Sequence, residues 1–462
     1  MFPVDVLGDP AKELVVVKRN DVSVYLISDG QYVNVQRLLL PAGDGTSGNR
    51  VYFGFGRLAK NSPKSLIVMA SGGLLHYPYD GKQISEQPVQ FYKGPLAKSE
   101  SGGSPVQYYD LALDMDNDGV DELLVPEESG FAILRQGNGG AYSKVPLPRN
   151  SFKRKDVYQF SNDVVADPTR APFFSASISH RRGIDDLLFY DANGDKLQDL
   201  IYSSTEMTEQ SKEVERYDVF LQQKGMTFET KPNQSLAIPY DSTAQSTFRD
   251  VNADGKLDAV VVRSNLDIVN PRTLVKFYVG TGSGYQVFNQ ESDRFVTKDP
   301  IGLVQLADFN SDGFTDFAMT FFSYQFGSTE DIIDLALANK IKFKLQFFLG
   351  RGASGYNRQP DADKEITLNT KLENFRGNAP VMIVNDMNGD RVRDLIVRTA
   401  EDKLDIFCSQ GSMQFPAKPS ESLTVPSDAT TNVEDLNGDG QADLLVSSGP
   451  KQILTIYFAT GR

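Results

Sequence analysis

The sequence predicts an all-β fold, a β-propeller of eight blades with seven as the alternative, and three observations predict it. A nine-residue acidic loop recurs along the chain, an apolar run of strand length follows each copy at once, and an alternating strand ending in glycine comes next. Repeat units that start 49 to 78 residues apart are the spacing of propellers and solenoids.

The loop is the clearest element. Its positions 1, 3, 5 and 9 hold Asp114, Asp116, Asp118 and Glu122, then Asp191, Asn193, Asp195 and Asp199, then Asp250, Asn252, Asp254 and Asp258. Three further copies hold Asp308, Asn310, Asp312 and Asp316, then Asp386, Asn388, Asp390 and Asp394, and finally Asp435, Asn437, Asp439 and Asp443. Position 6 is glycine in four of the six copies; Lys196 and Arg391 stand there in the others, whose loops carry glycine at position 4. Two weaker copies come earlier. Asp5, Asp9 and Glu13 keep positions 1, 5 and 9, with Leu7 at position 3 and Pro10 at position 6, and "RLAKNSPKS" from Arg57 has lost every acid.

The strands follow from what flanks the loop. Segments such as "LVQLA" and "PVMIV" precede it, "DAVVV", "DFAM" or "DLLV" follow it, and "VKFYVGTGSGYQVF" or "KLQFFLGRGASGY" supply a third strand. A fourth strand is expected to open on the Tyr or Phe after the glycine. Four strands joined by tight turns make one antiparallel sheet too small to bury both faces, so neighbouring units must stack, and closing the stack removes its exposed ends. Residues 1–462 therefore read as a single domain of eight units, starting near 1, 53, 108, 185, 245, 302, 380 and 430, the last with room for three strands.

Composition narrows the class. Hydrophobic residues are 40% and charged residues 23%, a globular balance, and no run of about 18 apolar residues offers a membrane span. The formal charge of −14 argues against nucleic acid, and six Ca²⁺ bound to the loops' nineteen patterned carboxylates would reduce it to about −2. One cysteine, Cys408, excludes an internal disulfide framework.

Calcium is the ion this loop suits. It takes six to eight hard oxygens, and positions 1, 3, 5 and 9 supply Asp, Asn or Glu side chains. Position 7 would add a backbone carbonyl, from Val120, Leu197, Lys256, Phe314, Val392 and Gln441. Glycine at position 6 permits a left-handed turn, so some strain is expected at Lys196 and Arg391. A helix–loop–helix sensor is excluded by β flanks and by the missing Glu at position 12, where Val, Met or Tyr stands. Two histidines and one cysteine leave no soft-metal set. The expectation is about six Ca²⁺, none at the Arg57 loop and at most weak occupancy at residues 5–13. Asp121, at the non-ligating position 8, should be nearly silent when replaced.

These units resemble the FG-GAP/VCBS repeats of integrin α-subunit propellers and of many bacterial exported proteins. The resemblance spans the chain and rests on the repeated "D-x-D/N-x-D-G-x-x-D-L" loop, with "YFGFG" (52–56) and "VGTGSGY" (279–285) as weaker echoes. It implies calcium in the hairpins between the first and second strands of the blades, all on one face, with Asp250, Asn252, Asp254, Asp258 and their counterparts as ligands. Weak sites of about 10⁻⁴–10⁻³ M suit an exported protein, secreted, periplasmic or on the cell surface, whose targeting segment is absent from this chain.

Function is less legible. The expected role is a non-catalytic module that binds a protein or cell-surface partner through the face opposite the calcium loops. The alternative is a calcium-dependent polysaccharide lyase or lectin acting on an extracellular glycan. Insertions at 204–218, 323–343 (with a short helix expected in "STEDIIDLALANK") and 148–174 (with Arg149, Lys153, Arg154 and Lys155) are the candidate binding loops. His76 and His180 are the only imidazoles, and neither sits in a convincing acid–base set.

Overall fold

In the computed structural model the chain is all-β, with the blade sheets of an eight-bladed β-propeller following one another in sequence order. The structure describes residues 2–6, 10–18, 20–28, 30–41, 51–70, 72–80, 82–94, 106–109, 111–127, 130–137, 139–148, 159–165, 173–180, 183–207, 213–239, 244–265, 272–280, 291–297, 301–323, 340–369, 381–411, 413–449 and 453–460. Two compact units divide it, residues 1–240 with 282–285, and residues 241–281 with 286–462.

The first unit holds four blades. The first is a meander of Phe2–Val4, Glu13–Lys18, Asp21–Ser28 and Gln31–Leu39. The second runs Val51–Gly56, Ser65–Ala70, Gly73–Tyr77 and Val89–Tyr92, and Val106–Tyr108 adds a fifth strand parallel to Val51–Gly56. The third is Ala112–Leu113, Glu122–Glu127, Gly130–Gln136 and Tyr142–Val145. In the fourth, Gly183–Tyr190, Asp199–Met207, Glu213–Phe220 and Gln234–Pro239 form the meander. Two further strands, Gln159–Val165 and Phe173–His180, extend it to six, so part of the expected 148–174 connection is sheet.

The second unit holds the rest. Blade five is Ala244–Arg249, Asp258–Asn265, Arg272–Tyr278 and Glu291–Thr297, and blade six is Ile301–Ala307, Asp316–Phe322, Lys340–Phe348 and Ala362–Asn369. Blade seven is Val381–Val384, Asp394–Ala400, Lys403–Phe407 and Glu421–Thr424. Among the described residues, blade eight has the strands Thr430–Glu434, Asp443–Ser448 and Ile453–Tyr457.

Packing explains why the second strands are almost wholly apolar. Leu123–Val125, Val260, Phe317, Leu395–Val397 and Leu444 are buried, because both faces of a middle strand are covered by neighbouring blades. The expected fourth strand opening on the aromatic holds in blade three, where Tyr142–Val145 begins on Tyr142, and is corrected in blades six and seven. Tyr356 and Phe415 precede the fourth strands Ala362–Asn369 and Glu421–Thr424 by several residues, and they pack on neighbouring blades instead. Burial decides this: the rings are covered by Phe277 and Phe317 for Tyr356 and by Phe347 for Phe415, which an outer fourth strand would not offer.

Among its described residues the 204–218 insertion is sheet as well. Pairs run from Ser204↔Arg216 out to Met207↔Glu213, a lengthened hairpin at the end of the blade opposite the acidic loop. Residues 324–339, with the expected short helix, and 149–158, with the basic cluster, lie outside the described residues. Among the described residues no helix is long and apolar enough to cross a membrane.

Candidate metal centres

Each of the six loops is a hairpin between the first and second strands of its blade, and its shape is set by its own acids. The position 1 carboxylate accepts the backbone N–H of position 6, at 2.9 Å for Asp114–Gly119, Asp250–Gly255, Asp308–Gly313 and Asp435–Gly440. Position 5 accepts from the N–H of position 7, as in Asp254–Lys256 at 2.9 Å and Asp390–Val392 at 2.8 Å. The Asn at position 3 donates to the position 5 carboxylate, from 2.7 Å at Asn193–Asp195 to 3.3 Å at Asn252–Asp254. Side chains of the Asx type thus hold the chain in a turn that curls around a centre.

Two positions in every copy are left-handed. Position 6 has φ of 81° at Gly255 and 85° at Gly440, and Lys196 and Arg391 adopt 71° and 68°. The expected strain at those two residues is therefore present, since a side chain pays roughly 1–2 kcal/mol there. Position 4 is also left-handed, at Asn117, Ala253 and Ser311 as well as at three glycines. Glycine at position 4 does not relieve position 6, because the two residues are bent separately.

Position 9 lies deepest. Asp199, Asp258, Asp316, Asp394 and Asp443 are fully buried, and each spends one oxygen on the N–H of position 2 and the other on an N–H just after the third strand. For Asp258 these donors are Val251 at 2.8 Å and Gly280 at 2.7 Å. Burial pushes these acids up, to about 8 for Asp199, about 7 for Asp258 and Asp316 and about 6 for Asp394, against the pull of those N–H groups. Glu122 rises to about 8 for the same reason. A buried carboxylate ringed by further acids favours a proton or a cation.

The donor chemistry suits calcium, and the loop at 114–122 fits it best among the described residues. Oxygens of Asp114, Asp116 and Glu122 lie within 4.8 Å of one another. That loop also has a cation close beside its acids. Arg135, on the third strand, donates to Asp116 at 2.5 Å and approaches Glu122 at 3.9 Å. Its counterparts, by strand register, are Leu221, Val279, Leu349, Cys408 and Phe458. The arginine offsets the fourth carboxylate that only this loop carries. When bound, a calcium ion would supply positive charge, and the acids at positions 1, 3, 5 and 9 would supply the oxygens that hold it; the chain itself shapes the turn and buries position 9.

The weaker copies separate two roles. In the first, Glu13 is buried and accepts the N–H of Val6 at 2.6 Å, so the position 9 clasp persists beside a Pro10 turn. In the second, Asp121 of the next loop takes over. Its carboxylate accepts the N–H of Arg57 at 2.6 Å, and its own N–H donates to the Arg57 carbonyl at 2.8 Å. Position 8 therefore carries a blade-to-blade contact, which argues against the expected silence of its replacement. Gln198, Thr315, Arg393 and Ala442 likewise donate their backbone N–H to a position 1 or 2 carbonyl of the preceding loop, stapling blade to blade within each unit. Sequence spacing could not show this, since the partners lie some 56 to 84 residues apart.

His76, whose side chain is described, packs on an aromatic ring, edge-on to Phe91 at 5.5 Å, and burial lowers its pKa. His180 ends a strand of blade four, and its side chain lies outside the described residues.

Comparison with known proteins adds a local match. The model of an FG-GAP-like repeat matches residues 386–446, which span the loops of blades seven and eight. No curated protein matches the chain. Among solved structures it is similar to an Agrocybe aegerita lectin described as recognising non-reducing terminal N-acetylglucosamine, at 11% identity and a TM-score of 0.48, over 98% of this chain and 97% of that one. It is also similar to a Bacillus licheniformis rhamnogalacturonan lyase, at 11% identity and a TM-score of 0.35, over 98% of this chain and 81% of that one. A second rhamnogalacturonan lyase, YesW, matches at 11% identity and a TM-score of 0.31 over the same shares.

Proposed function

We propose that this chain is a calcium-braced binding module that presents a rigid β surface to a protein or cell-surface partner. The observation that carries the reading is the convergence of Asp114, Asp116 and Glu122 oxygens within 4.8 Å, in a loop whose plan recurs five more times. Ligands at the other loops would be positions 1, 3, 5 and 9 with the position 7 carbonyl. Rigid blades braced at one end leave the opposite hairpins free to vary, and the lengthened hairpin of blade four is such a variation. Calcium sites of such weak affinity would fill only where calcium is millimolar, which supports the reading of an exported protein.

The glycan reading is the alternative. The solved structures above are named for glycan ligands, and at their low TM-scores they serve only to choose probes. The test is calorimetric titration with calcium, followed by binding assays in calcium and in chelator against N-acetylglucosamine-terminated glycans and rhamnogalacturonan. Several calcium ions per chain support the brace; saturable glycan binding would move the ligand from protein to polysaccharide. No heat of calcium binding in the millimolar range would overturn the proposal.

A further inference from the structure

The loop at 114–122 departs from the shared plan at three positions that meet in space. In the other five loops position 3 is Asn, and it donates to the position 5 carboxylate, at 2.7 Å in Asn193–Asp195 and 3.0 Å in Asn437–Asp439. Asp116 stands there instead; it has no proton to give and adds a fourth carboxylate beside Asp114, Asp118 and Glu122. Position 9 is Glu rather than Asp. Elsewhere both oxygens of position 9 accept backbone N–H groups, as Asp258 does from Val251 and Gly280. Glu122 gives Oε2 to the Met115 N–H at 2.9 Å and turns Oε1 towards Arg135 Nε at 3.9 Å. Arg135 is the third departure. The residue facing position 9 from the third strand is Leu221, Val279, Leu349, Cys408 or Phe458 in the other loops.

Arg135 matches the extra acid in charge but not in geometry. It donates to Asp116 Oδ2 at 2.5 Å, a short charge-assisted bond. Its Nε falls short of Glu122, since 3.9 Å is beyond hydrogen-bond length, and is buried with no hydrogen-bond partner among the described residues. Asp116 Oδ1 is likewise buried without a partner, on a side chain only 8% exposed. A buried carboxylate oxygen left open costs free energy that a bound cation would recover. Asp116 belongs to the cluster whose three acids bring oxygens within 4.8 Å of one another. The Arg135 side chain is 32% exposed, so its guanidinium has solvent to swing into.

We propose that Arg135 is a tethered rival of calcium at this loop. Its guanidinium neutralises the fourth carboxylate while no ion is bound, and it must release Asp116 before an ion can use the oxygens of Asp114, Asp116 and Glu122. The two cannot share the cluster, because a guanidinium and a divalent ion a few ångströms apart in a half-buried place repel strongly. This inference rests on the calcium reading above and adds a control on one of its sites. Four carboxylates would otherwise make this the tightest loop. With Arg135 in place the acids keep the net charge of a three-carboxylate loop.

The test is a melting series of four full-length chains: the natural sequence, Arg135→Leu, Asp116→Asn and the double variant, which restores the plan of the other loops. Each is melted in excess chelator and in about 0.1 to 10 mM calcium, with bound metal measured. In chelator Arg135→Leu should melt lower than the natural chain, because four carboxylates lose their counter-charge. Calcium should then raise its melting temperature more than that of the natural chain, by about 2–4 °C, the mark of a site about tenfold tighter. With Asp116→Asn already in place, the same arginine replacement should have at most about half of either effect, since the partner it bonds is gone. Arg135→Gln, which keeps a polar stem and loses the charge, should follow Arg135→Leu and serves if the leucine variant does not fold. An arginine that merely packs would lower the melt equally in chelator and in calcium. That result, or a calcium response no larger in the charge-free variants than in the natural chain, overturns the proposal while leaving the calcium reading intact. No metal bound and no calcium response in any of the four chains would overturn the calcium reading itself, and this inference with it.

Discussion

The turn at Arg57 and the loop at Asp250–Asp258 occupy the same place in their blades and are built from opposite materials. The first has no acid of its own and is held by Arg57 Nε on the Ser62 carbonyl and by Asp121 from the next blade. The second has three carboxylates, each engaged by backbone N–H groups, with Asp258 fully buried. Residues 5–13 fall between them, keeping the Glu13 clasp beside a proline that the full loop never has. The difference separates two jobs that sequence alone had merged. The acid at position 9 closes the hairpin by itself, while positions 1, 3 and 5 shape a turn fit for a cation.

The largest expected effect that breaks this comparison is on pH dependence without calcium. The raised acids bind their protons more tightly folded than unfolded, so folding is most favoured below about pH 4, where both states are protonated. That stability is lost as pH rises towards about 6 to 8, the folded values of Asp394, Asp258, Asp316, Asp199 and Glu122. Thermal melts in chelator should therefore fall between about pH 4 and 8, and saturating calcium should flatten the fall by stabilising the ionised acids. Equal slopes with and without calcium would separate the acids from the metal.

Next comes the clasp itself. Asp258→Ala leaves the N–H groups of Val251 and Gly280 without their acceptor, and should cost about 2–5 kcal/mol in urea unfolding. Glu13→Ala should cost about 1–3 kcal/mol, with the same value in calcium and in chelator, which marks the clasp as independent of metal. A Glu13 effect that appeared only in calcium would place an ion at residues 5–13.

Asp121→Ala should cost about 1–3 kcal/mol, because the N–H of Arg57 loses a buried partner. Asp121→Asn should recover part of this, as the amide oxygen can still accept. The smallest effect is a gain: Lys196→Gly should raise stability by up to about 1 kcal/mol by relieving a left-handed side chain. Gly255→Lys in the matching position should lose a similar amount, and melting curves of the two variants check the pair.

Local features were legible in the sequence. The loop register and the strand after it follow from periodicity and spacing, because each is decided within a few residues. Long-range features were not. Asp121 meets Arg57 across 64 residues, Val106–Tyr108 pairs in parallel with Val51–Gly56, and Tyr356 anchors on blade five, and no local pattern marks these partners. The left-handed position 4 was hidden for another reason: Asn117, Ala253 and Ser311 reach it without glycine, held by the position 1 and 5 hydrogen bonds.

Calcium–stability linkage is the most direct test of the central claim. A site with a dissociation constant near 10⁻⁴ M contributes roughly 2.7 kcal/mol in 10 mM calcium, so several sites together would rival the ~5–15 kcal/mol stability of an ordinary domain. Scanning calorimetry in 10 mM calcium and then in excess chelator, with metal analysis of both samples, measures it. The account predicts a melting temperature that drops sharply on chelation, or a transition that splits as separate blades open. A melting temperature unmoved after confirmed removal of metal would mean that these loops are hydrogen-bonded Asx turns and nothing more.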